Sequence, residues 1–184
     1  MRLDKLTSKL QSALSDAQSM ALGKDHNLIE PVHLVLALID QKGGSVRPLL
    51  SQTGFNIKEL RSRLQQAVDD LPHMPNHEGD IAASPDLGKL LNQADKLAQQ
   101  KGDAYISSET ILLVGMQDKG ELGKILNSFG VSSQALENAI SNLRGGDNVT
   151  DAGAEDSWQA LSKYCVDLTE RAEASELDPV IGRD

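Results

Sequence analysis

Residues 14–43 read LSDAQSMALGKDHNLIEPVHLVLALIDQKG, and residues 91–120 read LNQADKLAQQKGDAYISSETILLVGMQDKG. Laid over one another at an offset of 77 residues they need no gap, and they agree where a fold would demand it. Ala17 falls on Ala94, Ala21 on Ala98, Ile29 on Ile106, Leu36 on Leu113 and Gly43 on Gly120. One residue then drops out, and at an offset of 76 Leu50 meets Leu126, Gly54 meets Gly130 and Leu64 meets Ile140. A period of this length is a duplicated multi-helix unit, because short solenoid repeats run to about half of it.

Within each copy the spacing is helical. Leu3, Leu6, Leu10, Leu14, Ala17 and Ala21 recur every three or four residues, an amphipathic stripe that Asp4 or Thr7 can cap and Gly23 can end. IEPVHLVLALI follows, with Pro31 at a first helical position and apolar residues nearly all round, as in a helix buried between others. Shorter helices are expected near 45–52 and 57–71, and their counterparts near 85–101, 107–118, 120–128 and 132–143. Ser107 stands where Glu30 stands in the first copy. Pro72 to Pro85 reads as a polar connector, and no stretch has strand-like alternation.

The predicted fold is therefore all-α: an eight-helix domain over residues 1–143, built from two pseudo-twofold-related four-helix repeats (about 3–71 and 82–143). Beyond it, RGGDNVTDAGAED at 144–156 is rich in glycine and acidic residues and has no apolar period, so it reads as a flexible acidic linker. Residues 157–184 regain helical spacing through Leu161, Cys165 and Leu168 until Pro179 interrupts it. Their apolar side chains have little nearby to pack on, which reads as the truncated start of a further module.

Composition excludes several classes of function. Aromatic residues make up only 3% of the chain, so Leu, Ile, Val, Ala and Met must build the core. The net charge of −9 leaves no basic footprint for nucleic acid. No apolar run approaches the roughly 20 residues a membrane span needs, and MRLDKLTSKL lacks the apolar centre of a signal peptide. A lone Cys165 cannot form an internal disulfide, which suits a reducing, cytoplasmic compartment.

Chemistry is sparse. His73 and His77 have metal-compatible spacing but sit in a proline-broken loop, His33 reads as a core or cap histidine, and neither GxSxG nor a phosphate loop occurs. No catalytic constellation and no metal site is expected. The seam between two similar halves is left as the place for a partner. Its polar candidates are Thr7, Asp103 and Glu109, each of which helix capping also explains.

The paired stretches HNLIEPVHLVLALID and DAYISSETILLVGMQ, the opening MRLDKLT and the closing KYCVDLTERAEASELDPVIGRD resemble the ClpB family of bacterial disaggregases. The repeats alone are similar to any Clp amino-terminal domain, those of ClpA and ClpC included, whereas DLTERA with LDPVIGRD looks like the threshold of a first AAA+ nucleotide-binding module. The resemblance implies a non-catalytic domain that binds unfolded or aggregated protein on a hexameric, ATP- and magnesium-dependent ring with a coiled coil, working with the DnaK chaperone system in the cytoplasm under stress. It implies substrate-binding roles for Thr7, Leu91, Asp103, Glu109 and Thr110. It also implies that Val180, Ile181 and Gly182 lie beside the adenine of bound nucleotide. Gln93 and Thr110 are polar where a purely apolar seam would be expected. The alternative reading is the adaptor-docking N-domain of a ClpA/ClpC-type protease unfoldase.

Overall fold

The computed structural model describes residues 3–74 and 81–156. After a 3-10 turn at Leu3–Lys5, α1 (Ser8–Gly23), α2 (Pro31–Asp40), α3 (Val46–Thr53) and α4 (Ile57–Asp69) form the first half. The second half repeats the plan with α5 (Pro85–Gln100), α6 (Ser108–Met116), α7 (Glu121–Asn127) and α8 (Ser133–Arg144). The all-α fold read from the repeats is the fold of the described residues.

Local chemistry starts these helices. Thr7 caps α1 by accepting from Leu10 N–H, and its counterpart at the offset of 77, Ser84, caps α5 by accepting from Leu87 N–H. Asn56 and Ser132 cap α4 and α8 in the same way. Pro31 occupies the first turn of α2, where an absent N–H leaves nothing unsatisfied. α3 ends on Gly54 at φ 113°, a left-handed conformation that its counterpart Gly130 also adopts, at φ 73°.

Packing follows the duplication. α2 is buried from Pro31 to Ile39 and α6 from Ser108 to Met116, so the two counterpart helices are the centre of the core. α1 packs on α2 and α5 on α6 within each half. The shorter helices cross over, α3 against α8 and α4 against α7, so the halves interlock. Phe55 and Phe129 meet across the junction with ring centroids 5.6 Å apart, and the Arg63 guanidinium lies 4.9 Å above Phe129.

Two features depart from the sequence reading. The first is a pair of very short parallel strands, β1 (Leu28–Ile29) and β2 (Ala82–Ala83), together with a parallel bridge between Leu6 and Ile106. The offset of 77 maps Leu6 onto Ala83 and Ile29 onto Ile106, so the bridges are two copies of one contact. In each, the residue before one half's outer helix pairs with the residue before the other half's central helix. Buried backbone groups need partners where the chain dives into the core, and two residues are too few to leave an alternating pattern.

The second concerns residues 144–156, expected to be a mobile linker. Arg144 belongs to α8, and the chain then runs back across the second half with Val149 and Glu155 buried, turning helical at residues 154–156. Its glycines and acids gave no local signal because the partners are side chains and backbone groups far along the chain. The expectations for residues 157–184, including Val180, Ile181 and Gly182, lie outside the described residues, as does His77.

Candidate functional site

The loop into α6 and the first turns of α1 and α6 converge on a buried polar cluster. Lys5 C=O accepts from Ile106 N–H at 2.7 Å and Ile106 C=O accepts from Thr7 N–H at 2.9 Å, which sets the start of α1 beside the start of α6. Asp103 sits in the loop after α5. Ser107 precedes α6, whose first turn carries Ser108, Glu109 and Thr110. Thr7, Glu109 and Thr110 are fully buried and Asp103 nearly so.

Arg144, at the end of α8, organises one side. Its Nε donates to Glu109 Oε2 at 2.9 Å and its Nη1 to Asp103 Oδ1 at 3.3 Å, while Nη2 donates to Ser107 Oγ at 3.2 Å. Ser107 Oγ donates to Glu109 Oε2 at 2.7 Å and lies 3.3 Å from the Thr110 hydroxyl. A planar guanidinium fork is the group suited to bridging two carboxylates at once.

Glu155 closes the other side. Its Oε2 accepts from Thr7 Oγ1, from Ser108 N–H at 2.9 Å and from Ser108 Oγ at 3.1 Å. Burial, and then the Glu109 carboxylate, raise the Glu155 pKa from its ordinary 4.5 to about 7, against the pull of those three donors. The α6 N-terminus favours an acceptor there.

Thr7, Asp103, Glu109 and Thr110, all singled out in the sequence, are thus brought into one cluster. Leu91 lies on the core-facing side of α5 instead. Arg144, Glu155, Ser108 and the strap residue Val149 escaped the sequence reading. Each is an isolated residue whose role depends on a distant partner.

The seam between the halves carries a shallow groove of about 330 Å³ between α4 and α7, with Arg63, Asp70, Glu121 and Lys124 in its lining. At the α2, α4, α5 and α7 ends it holds a cleft of about 70 Å³ with Glu30, Asp86, Asp118 and Glu121 among its lining. A further groove of about 260 Å³ lies within the second half, between α5, α6 and α8. Leu97, Leu113 and Val114 supply its apolar lining, and Gln93, Gln100 and Gln117, with Lys96, Ser133 and Glu137, its polar lining. The polar Gln93 therefore belongs to this groove, while Thr110 belongs to the buried cluster.

The first half holds histidines where the second holds an acid and a hydroxyl. His26 is the counterpart of Asp103 and His33 of Thr110. His33 Nδ1 accepts from Glu30 N–H at 2.8 Å, which puts the ring proton on Nε2, 2.9 Å from His26 Nδ1. His73 stacks on His26 with centroids 5.5 Å apart. Among the described residues no group of three or more His, Cys, Asp or Glu side chains is arranged to hold a metal ion. Burial, then His26, lower the His33 pKa from 6.5 to about 4. The folded ring refuses a proton that the unfolded ring accepts below pH 6.5, so this contribution to stability is present above 6.5 and lost as pH falls towards 4. Over this window Glu155 acts in the opposite direction, so the check is a difference: from neutral pH down to about the His33 pKa, the urea midpoint of a His33→Gln variant should gain on that of the wild type.

These features define a duplicated helical domain with surface grooves and a closed polar cluster. The chain belongs to the Clp repeat (R) N-terminal domain family, whose model matches residues 5–129. It is 62% identical over all 184 residues to the chaperone protein ClpB of Pseudomonas putida, and spans 22% of that relative's length. The Hsp104 N-terminal domain of Candida albicans superposes with a TM-score of 0.72 at 20% identity, over 82% of this chain and 99% of that one. A ClpV N-domain solved in complex with a VipB peptide superposes with a TM-score of 0.61 at 23% identity, over 76% of this chain and 86% of that one. Among the described residues, no helix is long and apolar enough to cross a membrane.

Proposed function

We propose that the chain is the cargo-contacting domain of a ClpB-type protein disaggregase, binding unfolded or aggregated polypeptide and delivering it to an AAA+ ring. What supports this reading is the 62% identity to a ClpB chaperone along the whole chain. The groove between α5, α6 and α8 has suitable chemistry for such a cargo. Apolar side chains of an exposed segment rest on Leu97, Leu113 and Val114, while amide side chains meet its backbone. The ClpV N-domain solved with a VipB peptide gives the same fold a peptide-binding precedent. ATP and magnesium, the hexamer and cooperation with the DnaK system belong to the rest of such a protein, which works in the cytoplasm. The chain itself turns over no ATP.

The groove is small, and a contact below about 1,200 Å² falls in the weak, transient class. Ordering an unfolded partner lowers affinity further. Multiple copies on a ring offset this by raising effective concentration. Titration of the labelled chain with a permanently unfolded model protein should therefore give weak saturable binding, with Kd on the order of 10–100 μM, and Leu97→Asp, at a half-buried position on the groove wall, should abolish it. Binding confined to a folded adaptor would overturn the proposal in favour of a protease unfoldase.

A further inference from the structure

The polar cluster already holds a peptide, the chain's own residues 147–156. The seat has the form of a recognition site. Ala104 N–H donates to Val149 C=O at 2.8 Å, Val149 N–H donates to Asp103 Oδ1 at 3.0 Å, and Ser8 N–H donates to Ala152 C=O at 2.8 Å. The Val149 side chain is completely buried, and six residues later Glu155 is 1% exposed. The other residues of the segment are exposed or half-buried. Two side chains and a few backbone bonds thus hold the strap down, with Gly145 and Gly146 as its hinge.

One of those two plugs fits imperfectly. Glu155 Oε1 is buried without a hydrogen-bond partner among the described residues, as is Glu109 Oε1. The ionised Glu155 carboxylate therefore sits beside a like charge, and a neutral acceptor would meet the same three donors without that repulsion. Arg144 belongs to α8 and not to the strap, and it pairs there with Asp103 and Glu109.

We infer that Thr7, Asp103, Ala104 and Ser108 form a binding site for an extended peptide segment carrying an apolar side chain and, six residues on, an amide or carboxylate acceptor. Residues 147–156 fill this site in cis as a tethered pseudo-ligand, and a cargo segment of that chemistry displaces them. The inference rests on the reading of the domain as a polypeptide-contacting module. It gives residues as deeply buried as Thr7 and Asp103 a route to cargo once the strap lifts. The strap competes from a short tether, where effective concentrations reach about millimolar, so it excludes weak ligands and admits those that bind several groups at once. Proton uptake assists closure. Glu155 faces Glu109 on α6, with Arg144 on α8, Asp103 in the α5–α6 loop, and the Lys9–Asp156 pair on α1 and the strap close by. Its raised pKa gives closure a contribution that is complete below the ordinary 4.5 and is lost as pH rises through about 7.

The probe is a fluorescent decapeptide of residues 147–156, titrated into the full 184-residue chain and into its Val149→Asp/Glu155→Ala variant. The variant should bind the peptide at least about tenfold more tightly than the wild type, because its own strap no longer competes. A Glu155→Gln peptide should bind more tightly than the parent peptide at about pH 8, where the parent carboxylate is ionised, and a Val149→Asp peptide should not bind. A variant that keeps its helical circular dichroism yet binds no peptide, or a wild type that binds equally well, overturns the inference. Hydrogen exchange on the wild type gives a reading that needs no variant. The Ser8, Ala104, Ser108 and Val149 amides should exchange together and at least about a hundredfold faster than the Leu112 amide in the core. Exchange of those four only with global unfolding also overturns it. Failure of an unfolded protein to bind the intact chain would refute the functional reading instead, and leaves these measurements to be judged separately.

Discussion

Replacing Arg144 with alanine is expected to destabilise the domain by about 3–5 kcal/mol, the cost of removing one partner from a buried ion pair. The guanidinium side chain is 7% exposed, and the Asp103 and Glu109 side chains that it contacts at 3.1 and 2.8 Å are fully buried. Without it, two carboxylates and the nearby Glu155 share a site that excludes water. They must take up protons or open the site, and either route lowers stability. Urea denaturation should show a lower midpoint with little change in slope. Arg144→Lys should recover only part of the loss, because an ammonium cannot reproduce the fork that spans Glu109, Asp103 and Ser107. A shift below about 1 kcal/mol would mean that the cluster is solvated and open in solution. The same variant should also speed exchange at Val149, whose N–H is held by Asp103.

Gly123→Ala is the second large effect, and its sign is opposite to the usual one. A glycine inside a helix normally costs about 1 kcal/mol relative to alanine, so α7 should gain from the change. Here Asp118 folds over the start of α7, its Oδ2 accepting from Gly120 N–H at 3.1 Å and Gly123 N–H at 3.3 Å. A Cβ on residue 123 would coincide with the Asp118 backbone carbonyl, an obstacle that no rotamer change removes. Relief requires moving α7 or the Asp118 turn, and α7 packs into the junction between halves through Leu122 and Ile125. Overpacking of this kind costs about 1–3 kcal/mol or more, enough to outweigh the propensity gain. Thermal unfolding of Gly123→Ala should therefore occur several degrees lower than wild type, while Gly88→Ala, which meets nothing within 4 Å on α5, should be neutral or stabilising.

Much of this architecture is legible in one sequence because it is written twice. The apolar spacing of α1 and α5, the all-round apolar character of α2 and Gly54 with Gly130 are local signals, and each recurs at its offset. Pro31 and the cap Thr7 place helix starts within a residue or two. The candidate site was half legible. Thr7, Asp103, Glu109 and Thr110 were singled out, and they meet in space. They do not line an open seam as the duplication suggested, since they are buried against Arg144, Glu155 and Val149. His26, the counterpart of Asp103, carried no cue, because a lone histidine in a loop has no pattern to distinguish it.

By itself, then, the sequence determines that this is a duplicated eight-helix Clp-type domain, since helix periodicity and turn glycines are short-range properties repeated in register. Tertiary structure alone decides that residues 144–156 are a strap and not a tether, and that the candidate binding residues lie beneath it. The contacts responsible join Val149 to Asp103 across 46 residues and Thr7 to Glu155 across 148. Each rests on a single side chain set among glycines and acids, so its burial is created by the surface it lands on and leaves no periodicity behind.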